Sequence, residues 1–194
     1  MTNRSALTAG LRRPDLRVAC RRALVSGSLA SLFSAVALAL LGTLEGRTAA
    51  GPLNGPSQWV FGEHAAHRRQ WSARYTLVGY AIHHLASVGW ALLHERHVRE
   101  LIARRGPGPR LWEAAATATV ACISDFLIAR GRLRPGFEKQ LNWKSLSVVY
   151  AAFALGLSLQ FPERTPYGSR PSIGSSPDDQ LSTRRRLSQR GELT

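Results

Sequence analysis

The sequence is poor in acidic residues, with 12 Asp and Glu against 26 Lys and Arg, and it contains only two cysteines and one methionine. It also lacks the glycine-rich, P-loop, nucleophile-elbow, Cys-X-X-Cys and paired zinc-ligand patterns that usually indicate an enzyme site. We therefore interpret the chain as non-enzymatic. Cys20 and Cys122 are predicted at a helix boundary and inside an apolar segment, where a structural disulfide between them is not expected.

Long uncharged runs, rather than motifs, dominate the sequence. Residues 23–44 form a run of 22 residues without a charge, and about 20 apolar residues suffice for a helix to cross a hydrocarbon core of roughly 30 Å. The run is also longer than the apolar region of a typical secretory signal peptide. Three further apolar segments follow, at 75–94, 111–129 and 145–161. The pattern predicts an all-α fold, namely an integral membrane four-helix bundle.

The basic residues lie beside these apolar segments, which argues against nucleic-acid binding despite a net charge of +14. Six Lys and Arg precede Ala23, five lie at 95–110, and six follow Phe161. The two remaining loops carry four and five. Because cytoplasmic loops are enriched in Lys and Arg, we expect a multi-pass protein with both termini in the cytoplasm. Since 24 of the 26 basic residues are Arg, the composition favours a bacterial source, and hence the inner membrane.

These features predict three regions. A basic arm, 1–22, precedes the transmembrane domain, 23–161, and a basic tail, 162–194, is rich in Ser, Pro, Gly and Arg and is predicted to be disordered. The Arg-rich termini could contact anionic lipid headgroups, or the tail could simply be solvated. Besides the lipid bilayer, a membrane-protein partner or a homo-oligomer is compatible with such a chain.

The first outer loop, 45–74, combines turn residues with aromatics. In GPLNGPSQW, prolines and glycines exclude a long helix, and Ser57 could cap a new one. Trp59, Phe61 and Trp71 follow among charged residues, a mixture that is typical of a membrane interface. We predict a short interfacial helix on the outer surface.

Two adjacent histidines, His83 and His84, interrupt the second apolar segment. Successive helical residues are turned by about 100°, so the two rings must face different sides. His84 lies among apolar residues and could reach a second helix. The stripe that contains His83 is predicted to face the bundle, because polar groups turned to lipid would be unsatisfied. Its other members are Thr76, Tyr80, Ser87, Trp90 and His94.

Asp125 in the third segment is the natural partner for His83. At 1.5 Å per residue, we expect His83 about 12 Å and Asp125 about 6 Å below the outer ends of their helices. His83, His84 and Asp125 form the candidate intramembrane site, since such residues usually mark ion, proton or substrate pathways. Alternatively, Asp125 pairs with Arg130 and His83 only fixes packing.

Tyr80, Ser87 and Glu113 are secondary polar candidates. Glu113 could stabilise the positive end of a helix dipole or pair with Arg110. His64 and His67 are weak metal candidates, together with Glu63 or His83. His94 and His97 supply only two ligands on one face, fewer than a zinc site needs. Haem between facing helices is difficult to build, because the histidines within the predicted membrane segments all lie on one helix. No cofactor is predicted, although haem or a divalent metal stays an alternative.

Small residues predict how the helices pack. They recur every four positions in the first segment, and shorter seams occur in the third and fourth. Close backbone approach through such residues provides packing energy between membrane helices. The residues are Gly27, Ser31, Ala35 and Ala39, then Ala114, Ala118, Ala121 and Cys122, then Ala152 and Gly156.

The stretches PLNGPSQWVFG, YAIHHLASVGWALLHER and RPGFEKQL, followed by a final span, resemble small uncharacterised multi-span inner-membrane proteins of proteobacteria. The resemblance covers roughly residues 23–160. It implies a four-span bacterial membrane protein and transfers no catalytic residue. We expect a non-enzymatic accessory or scaffold-type protein. The alternative is a small-ion or proton-linked transporter, or a metal- or haem-binding protein, that uses the intramembrane His and Asp.

Overall fold

A computed structural model describes residues 16–105 and 110–159, which contain helices and no strand. Two π-helical turns extend long helices: Ala73–Leu77 precedes α4 and Ser124–Ile128 follows α5. The all-α prediction is confirmed. The helices are α1 (Leu16–Leu44), α2 (Ala50–Asn54), α3 (Gln58–Phe61), α4 (Val78–Arg105), α5 (Arg110–Ile123) and α6 (Trp143–Ser158).

Three helical stretches are long and apolar enough to cross a membrane, namely Leu16–Leu44, Ala73–His97 and Leu111–Ile128. They overlap the first three predicted spans. The first begins before Ala23, so part of the predicted N-terminal arm is helical. Helix α6, which overlaps the fourth predicted span, has 16 residues and is about 24 Å long at 1.5 Å per residue. The rest of the arm, residues 1–15, and the predicted tail, 162–194, lie outside the described residues.

Helix α1 is the centre of the packing. It packs against α4 and α6, and α5 packs mainly against α6. A Cβ added at Gly27 would lie 2.7 Å from the Cα of Val88, and one at Gly156 would lie 2.6 Å from the Cα of Ala30. Only a residue without a side chain permits such contacts. The predicted role of small residues is confirmed at these two glycines.

One end of the bundle is covered by residues 45–72 and 129–142, which we call the cap. The predicted short helix in the first outer loop is present only as several short turns, including α2 and α3. Every residue from Ala50 to Gln58 is buried except Leu53, whereas Trp59, Val60 and Trp71 are 43%, 58% and 69% exposed. Ser57 does not cap a new helix, because its own dihedral angles are helical and its Oγ donates to the Asn54 carbonyl at 2.6 Å. The aromatic part of the loop, after Ser57, therefore lies at the surface but as short turns rather than one helix. Its contact with a membrane interface stays a prediction.

Hydrogen bonds join the two halves of the cap. Gln58 Nε2 and Trp59 Nε1 both donate to the Arg134 carbonyl, at 2.6 and 3.0 Å. Gln140 Nε2 donates to the Ala66 carbonyl at 2.8 Å. The backbones of Gly55 and Gly136 touch, since a Cβ on Gly136 would lie 2.4 Å from the Gly55 carbonyl oxygen. Because side-chain hydrogen bonds and a direct backbone contact join the two loops, they form one unit.

Candidate functional site

A cavity of about 130 Å³ lies between the cap and the helices, and we call it the pocket. The cap contributes Pro56, Trp59, Pro135 and Phe137 to its wall. Helices α1, α4, α5 and α6 and the turn that follows α5 supply the remaining side chains. The polar lining residues are Ser34, His83, Ser87, Asp125 and Tyr150.

His83 is positioned by α1. Its Nε2 lies 2.9 Å from Ser34 Oγ, and the Ser34 hydroxyl also lies 2.7 Å from the Ala30 carbonyl of its own helix. Because a hydroxyl has one hydrogen, a Ser34 that donates to Ala30 must accept from the His83 ring. Ser87, one turn along α4, donates to the His83 carbonyl at 2.8 Å. The ring is therefore held at the pocket wall by a neighbouring helix.

Asp125 is bound by a residue that the sequence did not single out. The hydroxyl of Tyr150 on α6 donates to Asp125 Oδ2 at 2.6 Å. The predicted alternatives were an Asp125–His83 pair and an Asp125–Arg130 pair. Neither describes the carboxylate's hydrogen bond. Even so, His83 and Asp125 line the same pocket, and Tyr150 holds the carboxylate at its wall.

The predicted polar stripe of the α4 segment does face the interior at three positions. Thr76, Ser87 and His94 are 6%, 2% and 3% exposed. Tyr80 and His84 are half-buried, and their ring centroids lie 6.0 Å apart. His84 Nδ1 is buried without a hydrogen-bond partner among the described residues. His84 does not line the pocket, so the two adjacent histidines have different surroundings, as the helical geometry predicts.

Further polar residues lie at the end of the bundle opposite the cap. His94 Nδ1 lies 2.8 Å from Thr117 Oγ1 on α5. Glu95 is 2% exposed and accepts from Ser26 Oγ at 3.4 Å. Glu113 lies in the first turn of α5, as its predicted interaction with the helix dipole requires. His97 is exposed, whereas His94 is buried, so these two histidines do not share an environment.

The weak metal candidates His64 and His67 lie in the cap, away from the pocket lining. The His64 ring packs edge-on against Tyr75, with centroids 6.3 Å apart. Within residues 16–105 and 110–159, no group of three or more His, Cys, Asp or Glu side chains is arranged to hold a metal ion. Cys20 and Cys122 are both free thiols.

A second cavity, which we call the groove, lies between α5 and α6 and has a volume of about 660 Å³. Its walls are mainly small or apolar side chains, including Ala118, Ala151 and Ala154. Tyr150 lines both the groove and the pocket and so separates them. Glu138 lines the groove, and both of its carboxylate oxygens are buried without a partner in the described part of the chain.

Sequence reasoning missed Ser34, Tyr150 and Glu138. Tyr150 could have been found, because its hydroxyl in an apolar segment needs a partner for the same reason that His83 does. Ser34 carries no distinguishing signal, since serines are common among small residues that line helix contacts. Comparisons of the chain with protein-family models, curated proteins and solved structures find no match. The site is therefore interpreted from its own geometry.

Proposed function

We propose that the chain is an integral inner-membrane protein, with four spanning helices and both termini in the cytoplasm. The observation that carries this proposal is the side-chain distribution on the long helices. Leu24, Leu32 and Leu40 are spaced along α1 and are each more than half exposed. Leu77, Leu85 and Leu93 repeat this arrangement along Ala73–Arg105.

These exposed leucines are costly in water and favourable in lipid. Burying one Leu side chain contributes about 1.5–3 kcal/mol, and large exposed apolar surfaces mark protein or membrane contacts. In the same helices, Ser34, His83 and Ser87 line an interior cavity. Apolar side chains on the outside and polar side chains around an interior cavity support a bundle that is embedded in a lipid bilayer.

Within that membrane setting, we propose a non-enzymatic accessory or scaffold-type role. The cap supports it, because the two loops are joined by side-chain hydrogen bonds and by the Gly55–Gly136 contact. Such a cap would present a surface of fixed shape on the outer side of the membrane. A membrane-protein partner or a second copy could recognise it.

The membrane proposal is tested by extracting cells that express the full chain with alkaline carbonate. We expect the protein to stay in the membrane pellet and to be released only by detergent. A matched control replaces Leu32, Leu85 and Leu127, which are exposed on three different helices, with Ser. These changes should reduce membrane retention. Release of the wild-type chain by carbonate alone would overturn the proposal.

A small-ion or proton-linked role is the second candidate, and the shared pocket favours it. His83 and Asp125 lie on different helical segments yet line one cavity. If this role holds, His83→Ala and Asp125→Asn should each abolish ion- or proton-dependent uptake in vesicles while the helical content is unchanged. If both variants only lower thermal stability, the accessory role is favoured. A Soret band or a stoichiometric metal in the purified protein would instead support the haem- or metal-binding version.

A further inference from the structure

We propose that the pocket binds a small organic cation that carries an ammonium group. This inference rests on the membrane bundle proposed above and names a ligand class for its pocket. The single acidic residue among the lining residues is Asp125, and none of them is Lys or Arg. The basic side chain among the lining residues is the imidazole of His83, whose Nε2 lies 2.9 Å from Ser34 Oγ, so the wall holds no permanently charged cation to balance the carboxylate.

The surroundings of Asp125 make a cationic ligand favourable. Tyr150 donates one hydrogen bond to Oδ2, and Glu138 lines the groove on the other side of Tyr150. A carboxylate within a membrane span is expensive unless it is paired with a positive group or with solvent. A cation in the pocket would supply the opposite charge that the lining residues do not.

Aromatic side chains make an organic cation more suitable than a metal ion. Aromatic rings attract ammonium groups through their negative faces, and aromatic cages are a recurring way to bind alkylammonium ligands. A hard metal cation instead requires six or more oxygen ligands, which this lining does not provide. The aromatic lining residues are Trp59, Trp90, Phe137, Tyr150 and Phe153.

The size of the pocket limits the ligand. Its volume is about 130 Å³, and an engineered cavity of about 150 Å³ in another protein holds benzene. The ligand is therefore expected to be close to benzene in size, and larger amphiphilic cations should be excluded. Contact with both the cap and the helices further implies that the cap must stay in place for binding.

The proposal is tested by isothermal titration calorimetry of the full chain in detergent. The probes are tert-butylammonium and tert-butanol, which have nearly the same shape and differ in charge. We expect saturable binding of tert-butylammonium that Na⁺ and K⁺ do not compete away, and much weaker binding of tert-butanol. Equal affinity for the two probes, no binding of either, or full competition by Na⁺ or K⁺ would each overturn the proposal.

Variants assign the binding to the pocket. Asp125→Asn should weaken tert-butylammonium binding by at least about thirtyfold, because a buried charge partner is lost. Trp90→Leu should weaken it by about fivefold. Glu113→Gln removes a carboxylate at the opposite end of the bundle, outside both the cap and the pocket lining, and should leave the affinity unchanged. An unchanged affinity in Asp125→Asn would place any binding elsewhere and refute the proposal.

The wild-type comparison of the two probes remains decisive even if Asp125→Asn fails to fold. The binding experiment and the carbonate extraction together distinguish a failure of the ligand proposal from a failure of the membrane proposal. If the chain is retained in carbonate-washed membranes but does not prefer tert-butylammonium, only the ligand assignment fails. If the chain is not a membrane protein, the carbonate extraction fails whatever the binding result is.

Discussion

Tyr150 lies between two cavities that differ in size and in the side chains that line them. The pocket, at about 130 Å³, is covered by the cap and lined by aromatic and polar side chains, whereas the groove, at about 660 Å³, is lined mostly by small and apolar ones. Each contains one carboxylate. In the pocket Asp125 accepts from Tyr150 at 2.6 Å, but the Glu138 oxygens in the groove have no partner among the described residues.

The difference shows what a cap adds to a helical bundle. Packing of α5 against α6 through alanines leaves a groove that lipid could fill without any specific contact. The pocket exists because Trp59, Pro135 and Phe137 of the cap close over His83 and Asp125. Specific recognition is therefore expected in the smaller cavity. The changes below break or sharpen this contrast.

The largest effect is expected from Gly136→Ala, which separates the two halves of the cap. Gly136 has a φ of +86°, and its added Cβ would lie 2.4 Å from the Gly55 carbonyl oxygen. We expect the free energy of unfolding to fall by about 3–5 kcal/mol, because backbone strain and a clash with main-chain atoms combine. Thermal denaturation in detergent measures the loss.

Gly131→Ala is the matched control for that prediction. Gly131 also has a positive φ, +56°, but nothing lies within 4 Å of an added Cβ. We expect a loss of only about 1–2 kcal/mol from strain alone. Equal losses in the two variants would show that the close contact across the cap does not contribute.

Tyr150→Phe should weaken the wall between pocket and groove. The change removes the donor to Asp125 Oδ2 and retains the ring. Losing a hydrogen bond to a carboxylate lowers stability by about 1.5–3 kcal/mol. Tyr80→Phe, at a tyrosine whose ring centroid lies 6.0 Å from that of His84, should change stability by less than about 0.5 kcal/mol. If the two variants behave alike in denaturation, the assignment of Tyr150 is wrong.

Ser34→Ala tests how α1 positions His83. Ser34 Oγ lies 2.9 Å from His83 Nε2, so the variant leaves the ring without this partner. We expect a loss of about 1 kcal/mol in the free energy of unfolding. Ser28→Ala removes a hydroxyl that bonds only the Leu24 carbonyl of its own helix and should be nearly neutral. A comparable loss in Ser28→Ala would mean that helix propensity, not the His83 contact, explains the result.

The smallest effect concerns the ion pair between Glu63 and Lys139 on the cap surface. The hydrogen bond from Lys139, together with its charge, holds the pKa of the Glu63 carboxyl below its usual range. The pair therefore stabilises the fold above the ordinary pKa of Glu, and this contribution is lost as pH falls through the lowered pKa. Glu63→Gln should remove that part of the acid dependence in pH-dependent denaturation. High salt should weaken the pair. Identical profiles for both proteins would contradict the assignment.

The sequence predicts the long helices well and their contacts poorly. Uncharged runs locate α1 and Ala73–His97 because the membrane-spanning pattern is local and continuous. The Asp125–Tyr150 bond joins residues 25 positions apart, and no local period specifies which helix supplies the donor. The helical stepping did place His83 and His84 on different sides correctly. It could not predict that Ser34, rather than an acid, would contact His83.

The cap was the least predictable region. Its prolines and glycines correctly exclude a long helix, but they do not indicate that residues 50–58 form buried turns while Trp59 and Trp71 stay exposed. Burial of Asn54 depends on partners elsewhere: its Nδ2 donates to the carbonyls of Arg68 and Gln70, and its Oδ1 accepts from Thr76. No periodic sequence pattern predicts such contacts between a loop residue and residues later in the chain.

A topology map tests the central claim most directly, because a capped pocket within a membrane bundle requires both halves of the cap on one side. Reporter fusions after residues 47, 105, 140 and 175 place each loop inside or outside the cytoplasm. We predict that the fusions at 47 and 140 report outside and those at 105 and 175 report inside. A cytoplasmic location for the fusion at 140, beside Lys139, with 47 outside would contradict the account, since the membrane would then separate the two loops that form the cap.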